Sequence, residues 1–302
     1  MKRILVTGAN GQVGQELQSC LTPVGEVTSF GRDALDLAHP EQILQVVEKL
    51  QPDIIVNAAA YTAVDKAETE LEQAIAVNAT ATQVLAETAQ RVGAFFIHIS
   101  TDYVFDGTQS HPYGETDATN PLGAYGKSKL MGEMAIALST PDYAILRTAW
   151  VYGSYGKSNF VKTMLRLGAE REEIRVVADQ IGSPTWAKDL AQVIAQFIPH
   201  ASSETTGIYH YTNSGVASWY DFAIAIFEEA KQLGFPLKIQ RVVPITTADY
   251  PTPARRPAYS VLSCAKITGV LGTYPPHWRQ GLRQMLAELY TQTHESTDSL
   301  RG

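Results

Sequence analysis

Cysteine is nearly absent: Cys20 and Cys264 are the only two among 302 residues, and they stand far apart. Two such residues build neither a disulfide framework nor a cysteine metal site, so both read as reduced and structural. Long basic runs are also missing, and the formal net charge is −7. A nucleic-acid surface needs clustered cations against phosphates, which excludes that partner and leaves room for an anionic small molecule held by a few local donors. No long hydrophobic run occurs either. The opening MKRILVTGANG is interrupted by Asn10 and glycines after a few apolar residues, which fits neither a secretory leader nor a membrane span. A cytoplasmic chain without a membrane partner is expected. Repeats and low-complexity tracts are lacking, and the closing THESTDSLRG is polar and expected to fray.

What is present is an ordinary globular composition, 45% hydrophobic, enough to fill a sizeable core. The apolar runs RILVTG, EVTSFG, DIIVNAAA and AFFIHIS alternate with helix-like stretches, and YAILRTAW supplies a fifth. That alternation predicts an α/β fold, a Rossmann-type doubly wound parallel sheet with helices on both faces. We place a nucleotide-binding domain over residues 1–150. A smaller, mixed α/β C-terminal substrate lobe is expected over 151–302, with segments near 205–235 returning to the main sheet.

TGANGQVG sets Gly8, Gly11 and Gly14 after the first strand and ahead of a helix starting near Gln12. Glycines there permit a tight turn and let backbone N–H groups approach a dinucleotide pyrophosphate at the positive helix end. After the second strand, SFGRDALDL offers Gly31 and Arg32 where an acid usually takes the ribose hydroxyls. An arginine there can pair with a 2′-phosphate, which leans towards NADPH over NADH; a solvated Arg32 is the alternative, and Asp33 and Asp36 keep NADH open. Asp36 and Leu37 are expected beside the adenine, and AAAYT, with Ala60, Tyr61 and Thr62, along the cofactor.

NPLGAYGKSKLMGE places Tyr125 four residues before Lys129. Fourteen tyrosines and eleven lysines make about half a chance match to that spacing, so context decides. On a helix the two share a face. Asn120 before Pro121 reads as the cap, while Gly123, Gly126 and Gly132 each weaken an isolated helix by about 1 kcal/mol. Something must approach closely, and a thin face for nicotinamide and sugar is the expectation. Ser100 and Thr101 close the fourth strand, where such sheets carry their active-site groups. Together these suit carbonyl reduction, with Tyr125 as proton donor and Lys129 holding the ribose and lowering the phenol pKa.

TGANGQVG, NAAAYTAVDKAE, STDYVFDG, PLGAYGKSKL and RTAWVYG, in this order, resemble the extended short-chain dehydrogenase/reductase superfamily. With NFVKTMLRLG, DQIGSPT and YPTPARRP, the chain from Arg3 to about Leu289 resembles the dTDP-4-dehydrorhamnose reductase family more closely. That resemblance implies NAD(P)H-dependent reduction of the 4-keto group of dTDP-4-dehydro-L-rhamnose. It implies a catalytic set of Thr101, Tyr125 and Lys129. It also implies cofactor contacts from Gly11, Gln12, Val13, Ala60, Tyr61, Thr62 and Ile99, and substrate contacts from Thr101, Asp102 and Trp150. Paired arginines between prolines, Arg255 and Arg256, are where the substrate diphosphate is expected.

Some members of that family are dimers bridged by Mg²⁺ through three glutamates. Glu16 and Glu288 occupy two of these positions, but Lys188 stands at the third, and a cation there repels Mg²⁺. No metal and a monomer or weak homodimer are therefore expected. Dehydratases of the superfamily follow the strand-end threonine with Asp-Glu, whereas here Asp102 and Tyr103 follow. Epimerases, which regenerate their cofactor, and a non-catalytic binding protein such as the regulatory subunit of methionine adenosyltransferase stay as alternatives.

Overall fold

The computed structural model describes residues 1–298. The five early apolar runs form β1 (Lys2–Thr7), β2 (Gly25–Phe30), β3 (Ile54–Asn57), β4 (Phe95–Thr101) and β5 (Tyr143–Thr148). Later strands are β6 (Val151–Tyr152), β7 (Glu173–Val177), β8 (Ile181–Gly182), β9 (Thr185–Trp186), β10 (Gly207–His210), β11 (Ala217–Ser218) and β12 (Arg241–Ile245). The helices are α1 (Gln12–Leu21), α2 (Pro40–Leu50), α3 (Val64–Ala67), α4 (Leu71–Ile75), α5 (Ala81–Val92), α6 (Ala124–Ser139), α7 (Phe160–Glu170), α8 (Ala187–Phe197), α9 (Trp219–Gln232), α10 (Ala265–Leu271) and α11 (Trp278–Asp298).

Six parallel strands make one sheet in the order β10-β5-β4-β3-β1-β2. The expected doubly wound α/β architecture is present. Alternation along β1 explains the two helical layers, since successive side chains leave opposite faces. Ile4 and Val6 pack with Leu17 of α1 and with Leu190, Ile194 and Phe197 of α8. Leu5 packs on the other side with Ile43 and Val47 of α2, Leu85 of α5 and Ile136 of α6. Strand order reverses at β1, where the chain goes first to β2 and then to β3 on the opposite side. The loops there part and leave a crevice at the C-terminal strand ends.

A second apolar cluster joins Val161 of α7, Ile174 of β7, Trp186 of β9, Phe222 and Ile226 of α9, and Trp278 and Leu282 of α11. From this half of the chain β10 returns to pair with β5 at the sheet edge, whereas α9 stays in the second cluster. Helix α11 runs as far as Asp298 and so takes in the first part of the polar tail; residues 299–302 of the expected frayed end lie outside the described part.

Two expectations for α6 change. Its cap is Gly123 rather than Asn120, and the first N–H finds its acceptor in another segment: Ala124 N donates to Glu68 Oε1 at 2.8 Å. The thin helix face serves the protein's own backbone. A Cβ on Gly126 would stand 2.2 Å from the Tyr103 carbonyl oxygen, and one on Gly132 2.1 Å from that of Asn78. Asn78 belongs to a π-helical turn, Ala76–Thr80, an uncommon form that tends to mark functional regions.

Candidate active site

A cleft of about 900 Å³ follows the C-terminal edge of the sheet from the glycine turn to the second cluster. At its near end Gly11 caps α1 without any side-chain cap, and no acidic residue occupies the first turn. The first N–H groups of a helix have no partner within it, so a positive, unsatisfied end faces the cleft. Gly8, Gly11, Gln12 and Val13 line it, as do Gly31, Arg32, Asp36, Leu37, Ala60, Tyr61, Thr62 and Ile99. Gly14 lies beneath the turn instead: a Cβ there would be 2.0 Å from the Gly8 carbonyl oxygen, so glycine sets the packing of turn on helix. Arg32 is 76% exposed and its guanidinium stands 3.6 Å from Asp36, a partner that competes with any phosphate.

At the far end β4 delivers Thr101, whose hydroxyl donates to Asp102 Oδ1 at 3.0 Å and accepts from Tyr103 N at 3.2 Å. The neighbouring Ser100 hydroxyl is committed elsewhere, donating to Glu133 at 2.5 Å, and Glu133 is forked by buried Arg147. Thr101 is thus the hydroxyl left for the cleft. The Tyr125 ring meets Tyr103 edge-on at 5.6 Å. Burial first, and then the charge of Asp102, push the Tyr125 phenol up to about 12, while the Thr101 hydroxyl pulls the other way. The phenol is therefore protonated at neutral pH, as a proton donor must be. Burial likewise pushes Asp102 up to about 6, only partly offset by bonds from Ser260 and Thr101.

Lys129 is almost fully buried, with its amino end beneath the cleft floor. Its Nζ donates to the Ile99 carbonyl at 2.7 Å and meets His98 Nε2 at 2.9 Å. Burial lowers its pKa to about 8, against the opposing pull of Glu133.

Trp150 holds φ +49°, a left-handed conformation rare for a bulky side chain and a mark of functional strain. Its ring stacks on Trp219 at 3.5 Å and 5°, and Gly182 makes room beneath it. Arg255 and Arg256 do not join the cleft lining. Arg256 is committed to Asp65 at 2.9 Å and also bonds Thr252 and the Ala254 carbonyl; Arg255 is exposed.

Residues 1–291 match a family model described as the RmlD substrate binding domain. The chain is 49% identical over 298 residues to a dTDP-4-dehydrorhamnose reductase of Burkholderia thailandensis, covering 96% of this chain and 100% of that one. This chain belongs to the dTDP-4-dehydrorhamnose reductase family. It is similar as well to the Escherichia coli K12 dTDP-4-dehydrorhamnose reductase, 46% identical over 96% of this chain and 99% of the other. Among solved structures, the Bacillus anthracis dTDP-4-dehydrorhamnose reductase in complex with NADP aligns with a TM-score of 0.89 and 42% identity, over 95% of this chain and 99% of that one.

The cleft fits the dinucleotide of such reductases on its own geometry, because free helix N–H groups, a turn no Cβ could enter and Arg32 lie along one wall. Sequence reasoning passed over several lining groups. Asn159 bonds Gln12 Oε1 at 2.7 Å and draws residues 153–159 over the glycine turn; as a helix cap before Phe160 it had a legible structural role that hid the second one. Trp219, Phe160, Gln73 and Val77 also line the cleft, and all of them read as ordinary helix positions. At the metal positions, Lys188 bonds Glu288, and burial pushes nearby Glu16 up to about 7.

Proposed function

We propose that this chain reduces the keto group at carbon 4 of dTDP-4-dehydro-L-rhamnose with NADPH, or less readily NADH. The observation that carries this reading is one cleft running from a free helix N-terminus and glycine turn to Thr101, Tyr125 and Lys129. When bound, the cofactor supplies a hydride to carbon 4. As negative charge builds on the carbonyl oxygen, the Tyr125 hydroxyl gives up its proton, so the product is the alcohol and Tyr125 is left as phenolate until solvent restores it. Thr101, positioned by the bond from Tyr103 N, turns its hydroxyl proton from Asp102 to the same oxygen and holds it in line. Lys129 stabilises the phenolate by its charge and holds the nicotinamide ribose. Gly11, Gln12 and Val13 meet the pyrophosphate.

Asp102 and Trp150 orient the sugar. Trp219 covers one face of the Trp150 ring and fixes its plane. Arg255 is the arginine available to the substrate diphosphate, while Arg256 ties the YPTPARRP loop to Asp65. The Lys188 ammonium on Glu288 opposes a Mg²⁺ bridge, so the protein works as a monomer or weak homodimer with no bound metal. A cytoplasmic setting agrees with the absence, among the described residues, of any helix long and apolar enough to cross a membrane. The test is NADPH oxidation on addition of dTDP-4-dehydro-L-rhamnose. Consumption of one NADPH per sugar supports the reductase over an epimerase, and no consumption overturns the reading.

A further inference from the structure

Beneath the cleft floor a polar chain runs through the sheet from Lys129 to β1. His98 of β4 is fully buried, with Nε2 at 2.9 Å from Lys129 Nζ and Nδ1 at 3.1 Å from Asn57 Nδ2. The orientation of the Asn57 amide is settled by a backbone donor: Ala59 N gives its proton to Oδ1 at 3.2 Å, and the Thr7 hydroxyl bonds the same oxygen at 2.7 Å. Asn57 Nδ2 therefore points at His98, with Thr82 Oγ1 beside it at 3.5 Å. A donor facing Nδ1 makes Nδ1 the acceptor. Burial, and then the nearby Lys129, hold His98 well below its ordinary pKa, so the ring is neutral and carries its one proton on Nε2.

That proton faces Lys129 Nζ. An ammonium has three N–H donors and no lone pair, so an ammonium at this spot would set donor against donor. An amine satisfies every group: it accepts from His98 Nε2–H and donates to the Ile99 carbonyl.

We infer that Asn57 and His98 are positioning residues that favour the neutral, inward form of Lys129 over the ammonium before cofactor binds, so that in alkaline solution drawing Lys129 out to the nicotinamide ribose takes up a proton from solvent. The inference rests on the reading that Lys129 meets the cofactor, and it does not depend on turnover. Other groups around Lys129 do not replace this pair. Glu133, one turn along α6, is committed to Arg147 and Ser100. Tyr125 shares its helix and Asp102 stands beyond Thr101; these are pushed to about 12 and about 6, on either side of the range in which Lys129 titrates.

Two measurements on the intact protein test it. In cofactor-free protein, nitrogen-15 NMR of the histidine rings, with His98 assigned through its absence in His98→Gln, should show the Nε2–H tautomer at about pH 9, where the amine predominates. An Nδ1–H tautomer or an imidazolium overturns the inference. Titration calorimetry with NADPH in buffers of different ionisation enthalpy should show no uptake near pH 7 and close to one proton well above about pH 8, where the amine predominates. The NADPH Kd should be flat below that point and rise about tenfold per pH unit above it. The cofactor 2′-phosphate does not contribute there, being ionised above its pKa of about 6.

Two variants turn the polarity round. Asn57→Asp accepts from Nδ1 and moves the ring proton there, and His98→Gln can present Oε1 to Lys129; both welcome the ammonium. Each should move the onset of proton uptake up by a pH unit or more. A purely structural role would change stability and leave the onset in place, and wild-type binding without proton uptake would end the proposal even if the enzyme turns over.

Discussion

At the cofactor end of the cleft a ligand meets backbone: N–H groups at the start of α1 and a turn shaped by Gly8, Gly11 and Gly14. At the substrate end it meets side chains gathered from distant segments, Thr101 from β4, Tyr125 from α6, Trp150 after β5 and Trp219 from α9. The centre of the first end is one contiguous octapeptide, flanked by residues after β2 and β3, whereas the second exists only once the sheet and the second cluster have assembled. Errors at the two ends should therefore have different signatures: lost affinity for the dinucleotide at one, lost chemistry or sugar binding at the other.

The largest effect is expected from Tyr125→Phe. Deleting the hydroxyl keeps the ring on Tyr103 but removes the proton donor, so kcat should fall by about 10²–10⁴. The NADPH Kd, read by fluorescence titration, should stay within about threefold. A variant that keeps wild-type kcat would move the chemistry away from this end. Gly14→Ala comes next and should fail in the opposite sense. Its methyl would stand 2.0 Å from the Gly8 carbonyl oxygen, and such overpacking costs about 1–3 kcal/mol. The strain falls on the turn that receives the pyrophosphate, so NADPH affinity should drop about tenfold or more while kcat at saturating NADPH changes less. Unchanged affinity would break the contrast between the two ends.

This division also decides what could be read in the sequence. The β-strand runs, the glycine turn and the Tyr125-Lys129 spacing are local patterns, and the fold followed from them. The cap of α6 was not local: Asn120 next to Pro121 satisfied the rule for a cap, yet the acceptor is Glu68, brought there by α3. Gly126 and Gly132 did signal close approach, but sequence could not name the partner, which is backbone at Tyr103 and Asn78. Arg255 and Arg256 look equivalent as neighbours, and only the fold separates them by giving Arg256 to Asp65. His98 and Asn57 lie inside apolar strand runs, where nothing marks them as a pair until β3 and β4 come into register.

A smaller effect is expected at Trp219. Its ring lies on Trp150 at 3.5 Å, and an aromatic pair contributes about 0.5–1.5 kcal/mol beyond burial. Trp219→Leu keeps an apolar side chain but removes the ring that fixes the Trp150 plane, so KM for the nucleotide sugar should rise about two- to tenfold with the NADPH Kd unmoved. A change in NADPH affinity instead would mean that α9 belongs to the cofactor end.

The smallest effect concerns Arg32, the one side chain on which the cofactor end relies for discrimination. It is 76% exposed and already faces Asp36 at 3.6 Å, so water and a competing carboxylate both weaken what it can give a 2′-phosphate. Exposed ion pairs contribute at most about 1 kcal/mol, which limits the preference to about fivefold. Arg32→Ala should therefore lower kcat/KM for NADPH about three- to fivefold and leave that for NADH nearly unchanged. Asp36→Asn should act in reverse by freeing the guanidinium, raising NADPH preference modestly, and more at low ionic strength than at high. If both variants leave the NADPH to NADH ratio where it began, discrimination does not come from this wall, and the cofactor end recognises its ligand through backbone alone.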